Sequence, residues 1–509
     1  MNKANRIQIL LFLIAYIGLR MFSYFFSPAT PLYSANPINW IVSAGILLTT
    51  IYFLLKKDER GWLIIAGELI LGEAGNFLEI KGISLRTCLL VLSILIYSFQ
   101  VIKDKRYMII YKENKRIIYL LSFIFLIISI AVIRGFYFGH NLKQVISDAI
   151  PYLFFLYYFP LKQLLLSEKF RRTSFYMLIA AIIGNFIFTY FTLAGFSSGI
   201  FVLQDSYYHW FRDVAGGKIT DYGTGFFRIL TNEQLLMVPL FLWLFSKVMS
   251  SPPFEGGARG GLSRLRIEDP DSLSGPSIEA VNTSATPSSL PLGKGEMTTT
   301  VAMTGALLTI LTINITRIYL VALAIGMLSL FSIKNWKRWL AYCAGALIFF
   351  VMIFTLTHLT ATKGKSFGWE YLGLRLQSIA LPQTEDSSLS RILLLPKIME
   401  KIKLHPMLGN GLGDTVTVYS PIFKANITTP HFDWGYLEII AEMGIIGLAA
   451  WISLITYCLV LIAKKRGLLV SFLALLVINI TSPALFHVLG VVLITYIFAS
   501  SFFQKTQLN

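Results

Sequence analysis

The stretch Trp339-Leu-Ala-Tyr-Cys-Ala-Gly-Ala-Leu-Ile-Phe-Phe-Val-Met-Ile-Phe-Thr-Leu356 carries no charge, and Lys334-Asn-Trp-Lys-Arg338 stands directly before it. A helix needs roughly 20 mostly apolar residues to cross the hydrocarbon of a bilayer. A basic cluster at one end marks the side that stays in the cytoplasm. Working outward, comparable runs recur at 7–19, 41–55 and 120–132. A soluble core accounts for one or two such runs, not for a dozen. The pattern predicts an all-α, polytopic membrane protein with spans near 8–26, 38–55, 61–74, 84–102, 117–133, 148–166, 173–196, 233–248, 299–315, 317–333, 339–358, 434–463, 467–482 and 484–503. That makes about 14, or 12 if 61–74, which holds Glu68 and Glu73, and the pair split at Ser482-Pro483 are re-entrant.

Composition agrees. Of 509 residues, 55% are hydrophobic and 14% charged, against about 25% charged in soluble domains. The net charge of +17 would suggest nucleic acid in a soluble protein. Here the basic residues sit between apolar runs, at 56–60, 103–116, 169–172, 334–338 and 464–466. That placement sets topology and meets anionic head groups, and it predicts both termini inside. Lys3 and Arg6 precede the first run, which also holds Arg20, so a retained first span is expected rather than a cleaved signal. Cys88, Cys343 and Cys458 lie far apart in apolar runs and suggest neither a metal site nor a disulfide.

The chain divides into N-terminal spans (1–249), an insertion (250–298), further spans (299–358), an extracytoplasmic loop (359–433) and C-terminal spans (434–509). The insertion is rich in Pro, Gly, Ser and Thr and lacks apolar periodicity, which predicts disorder. The long loop has a helix-like stretch at 388–404, expected on the membrane surface. A smaller outer loop, 197–232, holds Tyr207-Tyr-His-Trp-Phe-Arg-Asp213.

Chemistry on the outer side should use polar groups at the outer ends of spans, where ionisable residues are costly and often functional. Arg317 is wedged between two apolar runs with no loop around it. Either it snorkels to the interface, or its always-charged fork of donors binds a phosphate or diphosphate. Arg375 in Gly373-Leu-Arg-Leu-Gln-Ser378, and Arg391 after Ser390, pose the same choice between a solvated charge and an anion ligand. In His405-Pro406-Met-Leu-Gly409-Asn-Gly411-Leu-Gly413, the proline ends a helix and the glycines permit a tight path. That turn is either structural or a backbone cradle for an anion. Finally, Pro430-His431-Phe-Asp433-Trp enters a span carrying Glu442-Met-Gly444-Ile-Ile-Gly447. Asp433 there is either a helix cap or a base, and His431 either an interfacial histidine or a general base.

In order, these features resemble the O-antigen ligase/polymerase family of bacterial envelope glycosyltransferases. An Arg opens a span, and a Ser-Arg pair follows in an outer loop. Pro406, fifteen residues after Arg391, begins the His-Pro-x-x-Gly-x-Gly turn, and a His precedes Glu-x-Gly-x-x-Gly. The signature covers about 317–450. The resemblance implies a GT-C-like frame in the bacterial inner membrane, with a glycan on undecaprenyl diphosphate moved to an acceptor hydroxyl on the outer face. The acceptor would be lipid A–core, a protein or another lipid-linked glycan. Inversion at the anomeric centre is implied, with no metal, cofactor or nucleotide sugar. Arg317 and Arg391 would hold the diphosphate, Arg375 would assist, and His431 would act as base. The family His usually stands about eleven residues before the first Gly of Glu-x-Gly-x-x-Gly. Here His431 is thirteen before Gly444 and Asp433 is eleven, so both remain candidates, with His431 favoured because imidazole titrates near neutral pH. Ligase is preferred to polymerase. The competing class is a lipid-linked oligosaccharide flippase or transporter, for which Arg20, Glu68 and Glu73 would be the in-membrane charges.

Overall fold

The computed structural model describes residues 3–27, 37–72, 75–103, 115–250, 294–381, 386–420, 425–430 and 432–508. Apolar runs become helices because a helix satisfies its own backbone where no water can. In chain order these are α1 (Lys3–Phe26), α2 (Pro37–Leu55), α3 (Glu59–Leu71), α4 (Leu85–Lys103), α5 (Lys115–Tyr137), α6 (Leu142–Leu153), α7 (Tyr158–Leu164), α8 (Glu168–Ser198) and α9 (Ser206–Asp213). Then come α10 (Met237–Ser250), α11 (Lys294–Asn314), α12 (Arg317–Ser329), α13 (Trp336–Ala361), α14 (Trp369–Ala380), α15 (Asp386–Leu404), α16 (Gly435–Ile462), α17 (Arg466–Ile478) and α18 (Val488–Leu508). Three short antiparallel hairpins interrupt them: β1–β2 (Glu79–Ile80, Ile83–Ser84), β3–β4 (Lys218–Asp221, Phe227–Leu230) and β5–β6 (Val416–Ser420, Ala425–Thr429). Helix starts follow local chemistry. Asp58 accepts from the Arg60 amide and Ser167 from the Phe170 amide, each satisfying a first-turn donor.

Among the described residues, nine helices are long and apolar enough to cross a membrane. Three shorter apolar helices, Arg317–Ser329, Arg466–Ile478 and Val488–Ser501, accompany them. The protein is therefore a polytopic helical membrane protein. The expected spans at 317–333 and 467–482 give helices of 13 residues each, and two others take another form. The 148–166 run is not one straight helix: α6 contains Pro151, a 3-10 segment runs from Phe154 to Tyr157, and α7 contains Pro160. Each proline removes an amide donor and crowds the preceding turn. The 61–74 run gives only the 13 residues of α3, about 20 Å at 1.5 Å per residue. The insertion expected at 250–298 lies largely outside the described residues, and α11 begins at Lys294.

Large apolar side chains face outward on α1 (Leu10, Leu11, Ile14), α2 (Ile41, Leu48) and α13 (Leu347, Ile348). On a soluble protein such a belt would aggregate; here it faces lipid. Inside, α8 packs on α1, α3 and α11, α10 packs on α11 and α17, and α16 packs on α5 and α18. The membrane charges considered for transport are paired. Arg20 meets Glu233, which also accepts from Tyr16 (2.7 Å), and Arg86 meets Glu68 at 2.8 Å. Glu73 lies outside the described residues. Close pairing suits buried charges, whose desolvation is otherwise uncompensated.

Candidate active site

The site is built where two helices reverse. Helix α11 ends at Asn314 and α12 begins at Arg317. Buried Ile315, with φ 35°, and Thr316 make the turn. So tight a reversal delivers Arg317 to the first position of α12. Its Nη1 donates to the carbonyl and to Oγ of Ser378, both at 3.1 Å, which ties α12 to the end of α14. The Ser378→Ala change removes one of those bonds and keeps the other. It is expected to destabilise the α12–α14 junction by about 1 kcal/mol, the loss of one hydrogen bond, read as a lowered midpoint of thermal unfolding in detergent.

Arg375 lies one turn earlier on α14 and is 5% exposed. Its Nε donates to Tyr371 Oη at 2.9 Å, and its Nη2 pairs with Tyr222 Oη. Both phenol rings lie 5.3 Å from the guanidinium carbon. Arg375 is thus enclosed between two aromatic faces, a cation–π setting, as part of the wall.

Two cations that the sequence motifs did not single out join this group. Arg228 on β4 is buried and donates to the Asn314 carbonyl and to Thr316 Oγ1, both at 2.6 Å. It therefore braces the α11–α12 reversal from below. Lys218 opens β3, paired opposite Leu230, while Thr220 pairs with Arg228. Lys218 and Arg228 are thus diagonal neighbours on one face of the hairpin. The Lys218 side chain reaches solvent. Even so, desolvation first, then Arg228, Arg391 and Arg375, push its pKa below the ordinary lysine range, against the pull of Asp433. The available signal was the alternation in Lys218-Ile-Thr-Asp and Phe227-Arg-Ile-Leu, which marks strands, but their pairing is tertiary.

Arg391 on α15 completes the group. Its Nε is buried without a hydrogen bond among the described residues and stands 3.6 Å from Asp433 Oδ2. The entry to α16 is clamped onto α15. Phe432 is fully buried among Leu394, Ile398, Val416 and Ala441. Trp434 Nε1 donates to the Arg391 carbonyl at 3.1 Å. Between them Asp433 adopts φ 56°, a left-handed conformation that non-glycine residues rarely hold. His431, the favoured base, lies outside the described residues; so does the Ser390 side chain. Asp433 is thus the candidate base whose placement is on view.

The glycine turn does something other than face a ligand. The amides of Asn410 and Gly411 donate to the carbonyls of Ala441 and Glu442 (2.7 and 2.9 Å). The Leu412 amide donates to the Ala131 carbonyl (3.0 Å) and the Gly413 amide to Asp148 Oδ2 (3.0 Å). Arg134 donates twice to the Gly409 carbonyl, at 2.9 and 2.7 Å. Helix α16 breaks at Gly444 (φ 70°), where the Ile445 amide takes the Pro406 carbonyl at 2.8 Å. The turn after Pro406, with Gly409, Gly411 and Gly413 all at positive φ, is threaded into that break and against α5. Its donors are spent on backbone and Asp148.

The outcome is a cationic basin: Lys218 lies within electrostatic reach of Arg228, Arg375, Arg391 and Asp433, and Arg317 joins through Ser378, three residues after Arg375 on α14. Such a basin attracts a multiply charged anion and stabilises negative charge that builds on it. No curated protein and no solved structure matches the chain. A family model does: residues 302–452 match the O-antigen ligase model, a stretch that contains Arg317, Arg375, Arg391, the glycine turn and Asp433. That segment, 151 of the 509 residues, is therefore similar to the O-antigen ligase family.

Proposed function

We propose that the protein transfers a glycan from undecaprenyl diphosphate to an acceptor hydroxyl at the outer face of the bacterial inner membrane, as a ligase. The supporting observation is the convergence of five cations with Asp433, inside the family-matched segment. Diphosphate is a good leaving group and needs its growing charge neutralised more than it needs a proton. In the step proposed, the acceptor oxygen attacks the anomeric carbon. The bond to diphosphate breaks with its electron pair staying on the phosphate, and the acceptor proton passes to a base. Attack opposite the leaving group inverts the centre.

Arg391 and Arg317 hold the diphosphate, with Lys218 at the rim, while Arg228 and Arg375 fix the walls. The base is His431 or Asp433, and of these Asp433 stands at the entrance of α16, 3.6 Å from Arg391. The changes His431→Ala and Asp433→Asn separate the two roles. Loss of kcat with an altered pH profile marks the base, and a change in KM alone marks a positioning group.

The assay is glycan transfer by purified protein in lipid nanodiscs, with envelope polysaccharide from a deletion strain on a gel. Complete chains on lipid A–core that vanish on deletion support the ligase; single-repeat chains on deletion favour a polymerase. Movement of labelled lipid-linked glycan across vesicles with no covalent change would replace both with transport. A pH dependence follows as well. The Lys218 ammonium attracts diphosphate and the free amine does not, so donor KM is expected to rise as pH increases through the lowered lysine pKa. Lys218→Arg, which stays charged, is expected to flatten that alkaline limb. Identical KM profiles would remove Lys218 from the site.

A further inference from the structure

A half-open cavity of about 480 Å³ lies inside the bundle, away from the cation basin. Its walls are Trp62 and Ile65 of α3, Leu178 of α8, Leu240 of α10, Ile310 of α11 and Leu493 of α18. Along α8 the lining runs from Phe170 to Asn185, a rise of about 22 Å. Apolar cavities of ~150 Å³ stay dry and accept a benzene-sized molecule. One three times as large has room for a chain of roughly eighteen carbons, estimated on the same basis. Water would find few partners along such walls, and vacuum would forfeit the packing of every lining residue. A hydrocarbon chain satisfies both.

The two ends differ. Toward the cation basin, Glu233, Asn185 and Gln234 form a polar cap. Glu233 is held by Arg20, by Tyr16 and by Asn185 Nδ2 (2.5 Å), and Gln234 accepts from Asn314. A lipid whose diphosphate sat at Arg317 or Arg391 would have to breach this cap and pass a carboxylate. At the other end stand Arg171, Ser174 and Tyr496. Ser174 Oγ is buried and makes no hydrogen bond among the described residues. Lys169 and Arg172 flank Arg171 on the first turns of α8. That end is basic and has an unused hydroxyl.

We propose that this cavity binds one acyl chain of an anionic phospholipid, with the lipid phosphate at Arg171 and Ser174, as a permanent part of the protein and separate from the glycan donor. The test uses the full chain purified in mild detergent, with native mass spectrometry and chemical analysis of extracted lipid. Phosphatidylglycerol and phosphatidylcholine are added as probes. One phospholipid per chain is expected in the wild type. Phosphatidylglycerol should be preferred about fivefold, as one basic residue near an anionic head group provides. Ala181→Phe, which fills the cavity, is expected to abolish retention. Arg171→Gln is expected to keep a bound chain and lose the preference, so it decides the matter should the bulky variant not fold. A wild-type protein free of lipid, equal retention by Ala181→Phe, unchanged preference in Arg171→Gln, or a polyprenyl chain as the extracted lipid would each overturn the assignment. None of these readouts depends on glycan transfer.

Discussion

Arg391→Ala is expected to reach the membrane at wild-type level and to transfer glycan about 10²–10³-fold more slowly, the usual consequence of losing one preorganised donor at a site of developing charge. The side chain is suited to that role because little of it serves the fold. Its Nε has no hydrogen bond among the described residues, and the Asp433 carboxylate is 3.6 Å away. Helix α15 is held instead by Leu394 and Ile398, and the bond from Trp434 goes to the Arg391 carbonyl, which the substitution keeps. Arg391→Lys should recover only part of the rate, because a single ammonium cannot match the planar fork on two phosphate oxygens. The checks are single-turnover transfer in nanodiscs and protein level by immunoblot. A wild-type rate in Arg391→Ala would remove the arginine from the chemistry, and with it the strongest ground for a transferase.

Gly411→Ala is expected to yield almost no folded protein. The backbone there holds φ 89°, and an added Cβ would lie 2.2 Å from the Gly135 amide nitrogen and 2.7 Å from the Arg134 carbonyl carbon. The left-handed conformation alone costs roughly 1–2 kcal/mol for an L-residue. The overlap is with backbone on α5, which cannot turn aside as a side chain can. Relieving it would pull the turn off the Ala131 and Glu442 carbonyls and leave buried donors unpaired, at about 1–3 kcal/mol each. Together these approach the whole stability of a typical domain. The measurement is the monodisperse fraction after size-exclusion chromatography, with Gly373→Ala, where a Cβ meets nothing within 4 Å, as the tolerated comparison. Wild-type yield of Gly411→Ala would mean the turn can move.

Most of the membrane frame was legible because it rests on a local property. Uncharged runs such as 339–356 leave a backbone in hydrocarbon no option but helix. At 148–166 hydropathy predicts a span but not its bend and 3-10 stretch, because it ignores Pro151 and Pro160, which shape the chain by sterics rather than by polarity. Arg317 stands out because a charge between two apolar runs is conspicuous, and Arg375 and Arg391 because they follow it in an outer loop, in Gly373-Leu-Arg-Leu-Gln-Ser378 and after Ser390. Lys218 and Arg228 do not, since only the β3–β4 register and the packing of β4 on α11 bring them to Arg317. The glycine turn was visible as a turn. Its acceptor, Ala131, and its partners, Arg134 and Asp148, lie more than 250 residues earlier, beyond any local pattern.

Helices α12 and α17 have 13 residues each and pack against one another. Each is about 20 Å long, against roughly 30 Å of hydrocarbon in an average bilayer. Two stunted neighbours cannot both reach the two surfaces of such a bilayer, and Arg317 sits at the tip of one. Either the lipid thins around them or that tip is sunk below the plane of the head groups. In both cases hydrophobic mismatch is built in beside Arg317, and the transfer proposed above should track membrane thickness, rising in short-chain lipids and falling in long-chain ones.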